Sequence, residues 1–329
     1  MSYVFSAWNI PSVPVDGASA VFPVRHIYCV GRNYAEHAKE MGGDASKEPP
    51  FFFTKPADAV VPAVSPAVAA VRYPSATKNY QHEVELVVAI GGRGADVAPE
   101  RANDLVYGYA VGLDMTRRDL QNAMREIKRP WDIGKSFAQA APIGPIHPVT
   151  RVGYLDRGRI SVEVNGTIRQ QGDLSDMIWD VPHVLHFLSR YYELLPGDLI
   201  FTGTPAGVAA VVPGDTLVAR IESLGELRVR IDGARTCYRL HSSSANTTCA
   251  RRFPTMHIGL RAGPPTAKKR GLAPTAGSTS GMAAVRSRQS ISFLPPIRGA
   301  RCFFSTAATG ARWTSRTIPS SHRSSSIGE

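Results

Sequence analysis

Glu83 and Glu85 are separated by one residue at the head of a run that reads His-Glu-Val-Glu-Leu-Val-Val-Ala-Ile over residues 82–90. The alternation has the period of a strand, so both carboxylates point to one face. Further along, that face carries Val87 and Ala89, and the charges therefore run into an apolar stripe rather than an ordinary wet surface. Like charges this close raise one another's pKa unless a cation sits between them. Asp114 ends a second apolar run, residues 107–114, and a third carboxylate would close a hard all-oxygen site. Such a site suits Mg²⁺ or Mn²⁺, which leave water positions for a substrate to displace. On its own, Glu-x-Glu more often marks solvated strand charges; the motifs around it carry the argument.

Several other residues have types that could serve chemistry. His37 and Glu40 are three apart on a predicted short helix, residues 35–41, which Gly42-Gly43 would stop. An imidazole held beside a carboxylate is a natural general base, although the same spacing suits a surface pair. Thr116 and Asp119 read as a capping box that starts a helix directly after Asp114, which would bring Arg118 and Gln121 near the proposed metal. Lys135 stands between Trp131 and Phe137, either stretched to water or held for an anion. Lys55 could also reach an anion, but a solvated lysine is the plainer reading. The turn at residues 202–208, Thr-Gly-Thr-Pro-Ala-Gly-Val, could offer backbone N–H groups and the Thr204 hydroxyl to a carboxylate.

The elements that must position these groups are mostly strands. Residues 24–30 read as a strand entering the Gly31-Arg32-Asn33-Tyr34 turn, and residues 49–56, with Phe51, Phe52 and Phe53 between prolines, as a buried edge strand. Residues 159–164 form a strand whose Asn165-Gly166 turn is the strongest hairpin signal in the chain. Residues 176–192 carry helical periodicity, with Pro182 near the first turn, and His183 and His186 there suit helix packing. Strands at 216–221 and 226–231 close a β-rich domain. There is no regular strand–helix alternation, so a doubly wound sheet is not expected.

Composition divides the 329 residues unevenly. The net charge of +11 suggests a nucleic-acid binder, yet residues 234–329 hold fifteen Lys and Arg against one acid, +14, which leaves −3 for residues 1–233. That basic segment is rich in Ser, Arg and Pro, its arginines are scattered without aromatic interleaving, and disorder is expected. A shifted reading frame or a failed stop codon would produce such a tail, and nucleic-acid binding through it is a remote alternative. Residues 1–23 look like an extended arm, and residues 24–233 like the functional domain. Cys29 is the lone cysteine before the tail, no disulfide framework is offered, and no apolar run suits a membrane span; a cytoplasmic protein is expected.

Taken together, Gly31-Arg-Asn-Tyr-Ala-Glu-His37, Lys55-Pro56, His82-Glu83-Val-Glu85, Asp114-Met-Thr-Arg-Arg118-Asp-Leu-Gln121, Lys135-Ser-Phe and the Gly197–Gly207 segment with Thr204 resemble the fumarylacetoacetate hydrolase family, and within it the branch acting on fumarylpyruvate in the gentisate route of aromatic catabolism. The resemblance implies a mixed α/β, β-rich fold, a β-sandwich roll with short peripheral helices, and a homodimer. It implies Glu83, Glu85 and Asp114 as ligands of Mg²⁺ or Mn²⁺, His37 and Glu40 as a water-activating pair on a lid, and Arg118, Gln121, Lys135 and Thr204 around the pyruvyl end of a small acylpyruvate. Ser136-Phe137-Ala138 departs from members that carry Asp after the Phe. Oxaloacetate decarboxylation and hydroxymuconate isomerisation are alternatives in the same family, since all three reactions use a metal-held enolate.

Overall fold

The computed structural model describes residues 3–40 and 48–233, with the side chains of residues 38–40 outside that description. The expected Gly42-Gly43 helix stop and the basic tail, residues 234–329, lie outside the described residues. Within them the chain is mixed α/β and strand-rich, with short helices at the periphery.

The larger sheet has eight strands among the described residues. Its order is Phe51–Lys55, Ile27–Gly31, Leu199–Phe201, Val84–Ile90, Val106–Leu113, Ala141–Ile143 and Val60–Pro62, with His147–Pro148 paired to Val106–Leu113. Val84–Ile90 lies in its middle, every residue buried, which explains why Val and Leu fill both faces. Each large apolar side chain buried there contributes about 1.5–3 kcal/mol. A five-stranded sheet, Thr167–Asp173, Arg159–Val164, Thr216–Ile221, Gly225–Asp232 and Val68–Arg72, packs across Val84–Ile90 and Val106–Leu113 to form the second layer. Ile160, Val162, Leu217, Ala219, Leu227 and Val229 turn inward from it into the shared core.

The strand at 84–90 and the hairpin at 159–173 match expectation. Asn165 and Gly166 hold φ of 52° and 79°, the paired left-handed turn that a two-residue hairpin needs. Phe51–Lys55 is an edge strand, as expected, but Phe51 is exposed rather than buried.

Three expectations need correction. Residues 12–23 are not an extended arm: Ser12–Pro14 and Val21–Pro23 pair as a hairpin whose Val13 and Phe22 join the core. The helix expected at 176–192 covers only Val181–Ser189, because Asp173 and Asp176 close a separate short turn and Asp180 caps the helix by accepting from the His183 N–H at 3.0 Å. Thr116 and Asp119 form no capping box. Thr116–Arg117 instead pairs with Tyr80–His82, and Asp119 accepts from the Thr77 hydroxyl at 2.5 Å and the Lys78 N–H at 2.9 Å. The helix Arg118–Glu126 still begins directly after this strand. Among the described residues, no helix is long and apolar enough to cross a membrane.

Candidate metal centre and active-site cleft

Glu83 sits between the strands Tyr80–His82 and Val84–Ile90, where the chain passes from a three-stranded ribbon into the large sheet. Its neighbour across the ladder is Asp114, whose N–H donates to the Glu83 carbonyl at 2.8 Å. Glu85 pairs with Gly112, which places no side chain beside it. Strand alternation and this register bring the three acids together, and their ligand oxygens lie within 4.8 Å of one another. All three are buried.

Three cations are buried with them. Lys135 Nζ lies 2.8 Å from Glu83 Oε2, 2.8 Å from Asp114 Oδ2 and 2.7 Å from Thr116 Oγ1. Lys55 Nζ is 2.7 Å from Asp114 Oδ1 and donates to the Lys135 carbonyl at 2.6 Å. The Arg118 guanidinium pairs with Glu83 and also donates to Gln81 Oε1 at 2.8 Å and Gln121 Oε1 at 2.6 Å. The water-bound reading of Lys55 is therefore wrong, and of the two fates open to Lys135 the structure shows the anion-bound one. The Phe137 ring lies under Lys55 at 5.5 Å, and the Phe53 ring under Lys135 at 5.0 Å; the aromatics wall the ammonium groups off from water.

The two glutamates respond oppositely. Burial opposes ionisation of Glu83, but Lys135, Arg118 and His37 outweigh it and hold its carboxyl well below the usual carboxylate range. Burial, then Asp114 and Glu83, push Glu85 well above that range, against the pull of Lys135 and the Gly203 N–H. The expectation that each would raise the other therefore holds for Glu85 alone. Burial also lowers Lys135, yet Asp114 and Glu83 raise it overall, so it stays charged.

The donor set fits a hard divalent cation. It consists of carboxylate oxygens alone, Asp114 Oδ1 is buried and meets Lys55 without hydrogen-bond geometry, and Glu85 lacks a cation strong enough to ionise it. Gly203 fixes the third acid: its N–H donates to Glu85 Oε2 at 2.8 Å from a backbone with φ of 99°, which a side chain would strain.

Glu83, Glu85, Arg118, Lys135 and Gly203 line a cleft enclosing about 440 Å³ of empty space, open solvent included. His37, Gln121 and Thr204 share it with Glu83, Glu85 and Lys135. His37 is buried, on the helix Ala35–Glu40. Glu40 ends that helix, and its side chain lies outside the described residues. Gln121 spends its amide oxygen on Arg118, leaving its NH₂ as the group it can turn to a ligand. Thr204 differs from expectation. Its hydroxyl donates to the Val84 carbonyl at 2.7 Å and accepts from Gln170 Nε2 at 2.8 Å, so its proton holds the wall together instead of being offered to a carboxylate. His183 and His186 stay outside the cleft, bound to Asp180 and the Val97 carbonyl.

Gln170 is a site residue that sequence reasoning missed. From the second sheet its amide accepts from the Val84 N–H at 3.1 Å, lies 2.9 Å from His82 Nδ1, and donates to Thr204 and the Pro205 carbonyl. Nothing in the surrounding Arg-Gln-Gln-Gly signals this, because the partners are brought together only when the sheets pack.

The fumarylacetoacetate hydrolase C-terminal family model matches residues 26–232. The chain is 44% identical over 191 residues to a fumarylpyruvate hydrolase of Ralstonia sp, covering 58% of this chain and 97% of that protein. It is 39% identical over 211 residues to a mitochondrial oxaloacetate tautomerase of Rattus norvegicus, covering 64% and 93%. A crystal structure of fumarylpyruvate hydrolase from Pseudomonas aeruginosa, in complex with Mn²⁺ and pyruvate, superposes with a TM-score of 0.69 at 52% identity, covering 70% of this chain and 99% of that one. The chain thus belongs to the fumarylacetoacetate hydrolase family and is an enzyme of that family.

Proposed function

We propose that this chain hydrolyses the carbon–carbon bond of an acylpyruvate, with fumarylpyruvate and water giving fumarate and pyruvate, a step of the gentisate route. The observation that carries the reading is the buried trio Glu83, Glu85 and Asp114, flanked by Lys135 and Arg118, with both glutamates opening on the cleft that His37 lines. Its similarity to proteins that bind Mn²⁺ and pyruvate, or cleave fumarylpyruvate, supports the same assignment.

Glu83, Glu85 and Asp114 would hold Mg²⁺ or Mn²⁺. When bound, such an ion polarises the 2-oxo group of the substrate and stabilises the negative charge of departing pyruvate, a Lewis-acid contribution of several kcal/mol. The protein's own groups do the rest. The Gln121 NH₂ holds the carboxylate of the pyruvyl end, and Arg118 joins it by releasing one of its present partners, Gln81, Gln121 or Glu83. Lys135 keeps Glu83 and Asp114 charged and in place; it reaches substrate oxygen only by releasing one of its three present partners. His37 takes a proton from water, and the water oxygen attacks the distal acyl carbonyl. The bond between that carbonyl carbon and the pyruvyl methylene breaks, its electron pair passes into the pyruvate enolate, and the methylene carbon takes the proton that His37 had accepted from water.

Full-length protein reconstituted with Mn²⁺ should deplete the enol absorbance of fumarylpyruvate, and His37→Ala should lower kcat by about 10²–10⁴. A kcat within about threefold of wild type would remove His37 from the role of base. The rat relative favours a second reading, keto–enol tautomerisation of oxaloacetate, which the same cleft would perform without the attacking water. Parallel oxaloacetate assays separate the two. A homodimer goes with this reading, and light scattering would measure it.

A further inference from the structure

Arg32 follows the Ile27–Gly31 strand with a positive φ of 58°, a conformation that non-glycine residues hold only where their surroundings impose it. Its neighbours on both sides impose it. A Cβ on Gly31 would stand 2.1 Å from Phe51 Cζ, so only glycine lets the Phe51 ring close down on the turn. Asn33 is fully buried, donating to the Trp179 and Thr202 carbonyls at 2.8 Å each and accepting from the Trp179 N–H at 2.8 Å. Held between these anchors, Arg32 lines the cleft of Glu83, Glu85 and Lys135.

The charge of Arg32 differs in use from that of its neighbours. Lys135 and Arg118 spend theirs on Glu83 and Asp114. Among the described residues, the Arg32 guanidinium meets the Phe51 ring, 5.7 Å from its centroid, and no carboxylate. Phe51 is itself braced edge-on by Trp131 at 5.3 Å. The result is a half-buried arginine on a fixed turn, its guanidinium over an aromatic support at the wall of a cleft whose inner cations are already paired with acids.

We infer that Arg32 is a specificity-determining residue that binds a second carboxylate at the acyl end of the substrate, so that the enzyme selects dicarboxylic acylpyruvates over neutral ones. This rests on the acylpyruvate hydrolase reading and names its substrate class. A planar guanidinium pairs with a carboxylate through two parallel hydrogen bonds, and loss of such a pair is felt only by substrates that carry the carboxylate.

The test compares fumarylpyruvate with acetylpyruvate, whose acyl end is neutral, in Mn²⁺-loaded wild-type protein, Arg32→Asn and Arg32→Lys. Asparagine tolerates the left-handed backbone and removes the charge. In Arg32→Asn, kcat/KM for fumarylpyruvate should fall at least about tenfold, mainly through KM, and that for acetylpyruvate no more than about threefold; Arg32→Lys should recover part of the loss. Equal losses on both substrates, or none on either, overturn the inference. Mn²⁺ uptake reports folding, and if Arg32→Asn fails it, Arg32→Gln takes its place. Should wild-type protein cleave neither compound, the hydrolase reading fails; calorimetric titration of the same two compounds into Mn²⁺-loaded wild type and variant then judges Arg32 by itself, a lost preference for the dicarboxylate supporting its role and an unchanged one refuting it.

Discussion

Glu83 and Glu85 share one face of one chain segment, and the protein pushes their acidities in opposite directions. Lys135 and Arg118 both close on Glu83, whereas Glu85 takes a hydrogen bond from the Gly203 N–H and feels two neighbouring acids more strongly than it feels Lys135. In the metal-free protein Glu85 is thus the acid that keeps its proton to higher pH, and ion binding competes with that proton. Because its folded-state pKa is raised, the stability it contributes is fully present below about 4.5 and is lost as pH rises through the raised value. Glu83 has the opposite sign: its contribution is present above about 4.5 and lost only on strong acidification. Between mildly acidic and mildly alkaline pH the Glu85 effect governs the change from this pair. Thermal melts of chelator-treated protein with and without Mn²⁺ at rising pH should show a metal-induced gain in Tm that grows with pH. A gain that is flat or shrinks would contradict the assignment of Glu85.

Neutralising the two glutamates one at a time should separate structure from metal binding. Glu85→Gln mimics the protonated group, so the metal-free protein should unfold at nearly the same denaturant concentration as wild type while Mn²⁺ affinity collapses. Glu83→Gln strands Lys135 and Arg118 without their shared partner, and removal of one member of a buried ionic group costs about 3–5 kcal/mol. Urea titrations of both variants, with Mn²⁺ titrations beside them, check this contrast.

Lys55 should be as costly to neutralise as Glu83. It is fully enclosed, 2.7 Å from Asp114, and its ammonium also holds the Lys135 carbonyl. Lys55→Met keeps the length of the stem but leaves Asp114 with Lys135 alone, so the expected loss is about 3–5 kcal/mol in metal-free protein, smaller once Mn²⁺ is bound. Chemical denaturation in the two states measures the difference.

The missed role of Lys55 shows where the sequence stopped being informative. Period-two alternation placed Glu83 and Glu85 on one face, and the end of an apolar run marked Asp114, because those signals are local to one strand. Asn165-Gly166 likewise carries its turn within two residues. Lys55 reads as solvated because burial of an ammonium depends on partners 59 and 80 positions away, supplied by other strands and helices. Thr116 failed as a cap for the same kind of reason: pairing with Gln81 across two strands outweighed a local hydrogen bond. The ends of the Val181–Ser189 helix were illegible because Asp173, Asp176 and Asp180 all have capping chemistry, and only the packed fold selects among them.

The last test concerns the tie between the two sheets. Gln170 reaches from the outer sheet to the Val84 N–H, His82 and Thr204, so one amide sets both the entry of the chain into Val84–Ile90 and the wall opposite. Burial keeps His82 pKa below its ordinary value, and among the described residues its Nε2 has no hydrogen-bond partner, while Nδ1 is bound to Gln170. Gln170→Leu fills a similar volume but leaves the Val84 N–H and the Thr204 hydroxyl oxygen each short of a partner, a cost of about 1–3 kcal/mol for each buried group left unsatisfied. Glu83 and Glu85 flank Val84, so a shift of that backbone reaches the metal site before any other part of the cleft. The expected outcome is a lower unfolding midpoint together with weaker Mn²⁺ binding, and with activity recovered in part by excess Mn²⁺. A variant that is destabilised but binds Mn²⁺ as tightly as wild type would show that Gln170 braces the sheets without setting the ligand geometry.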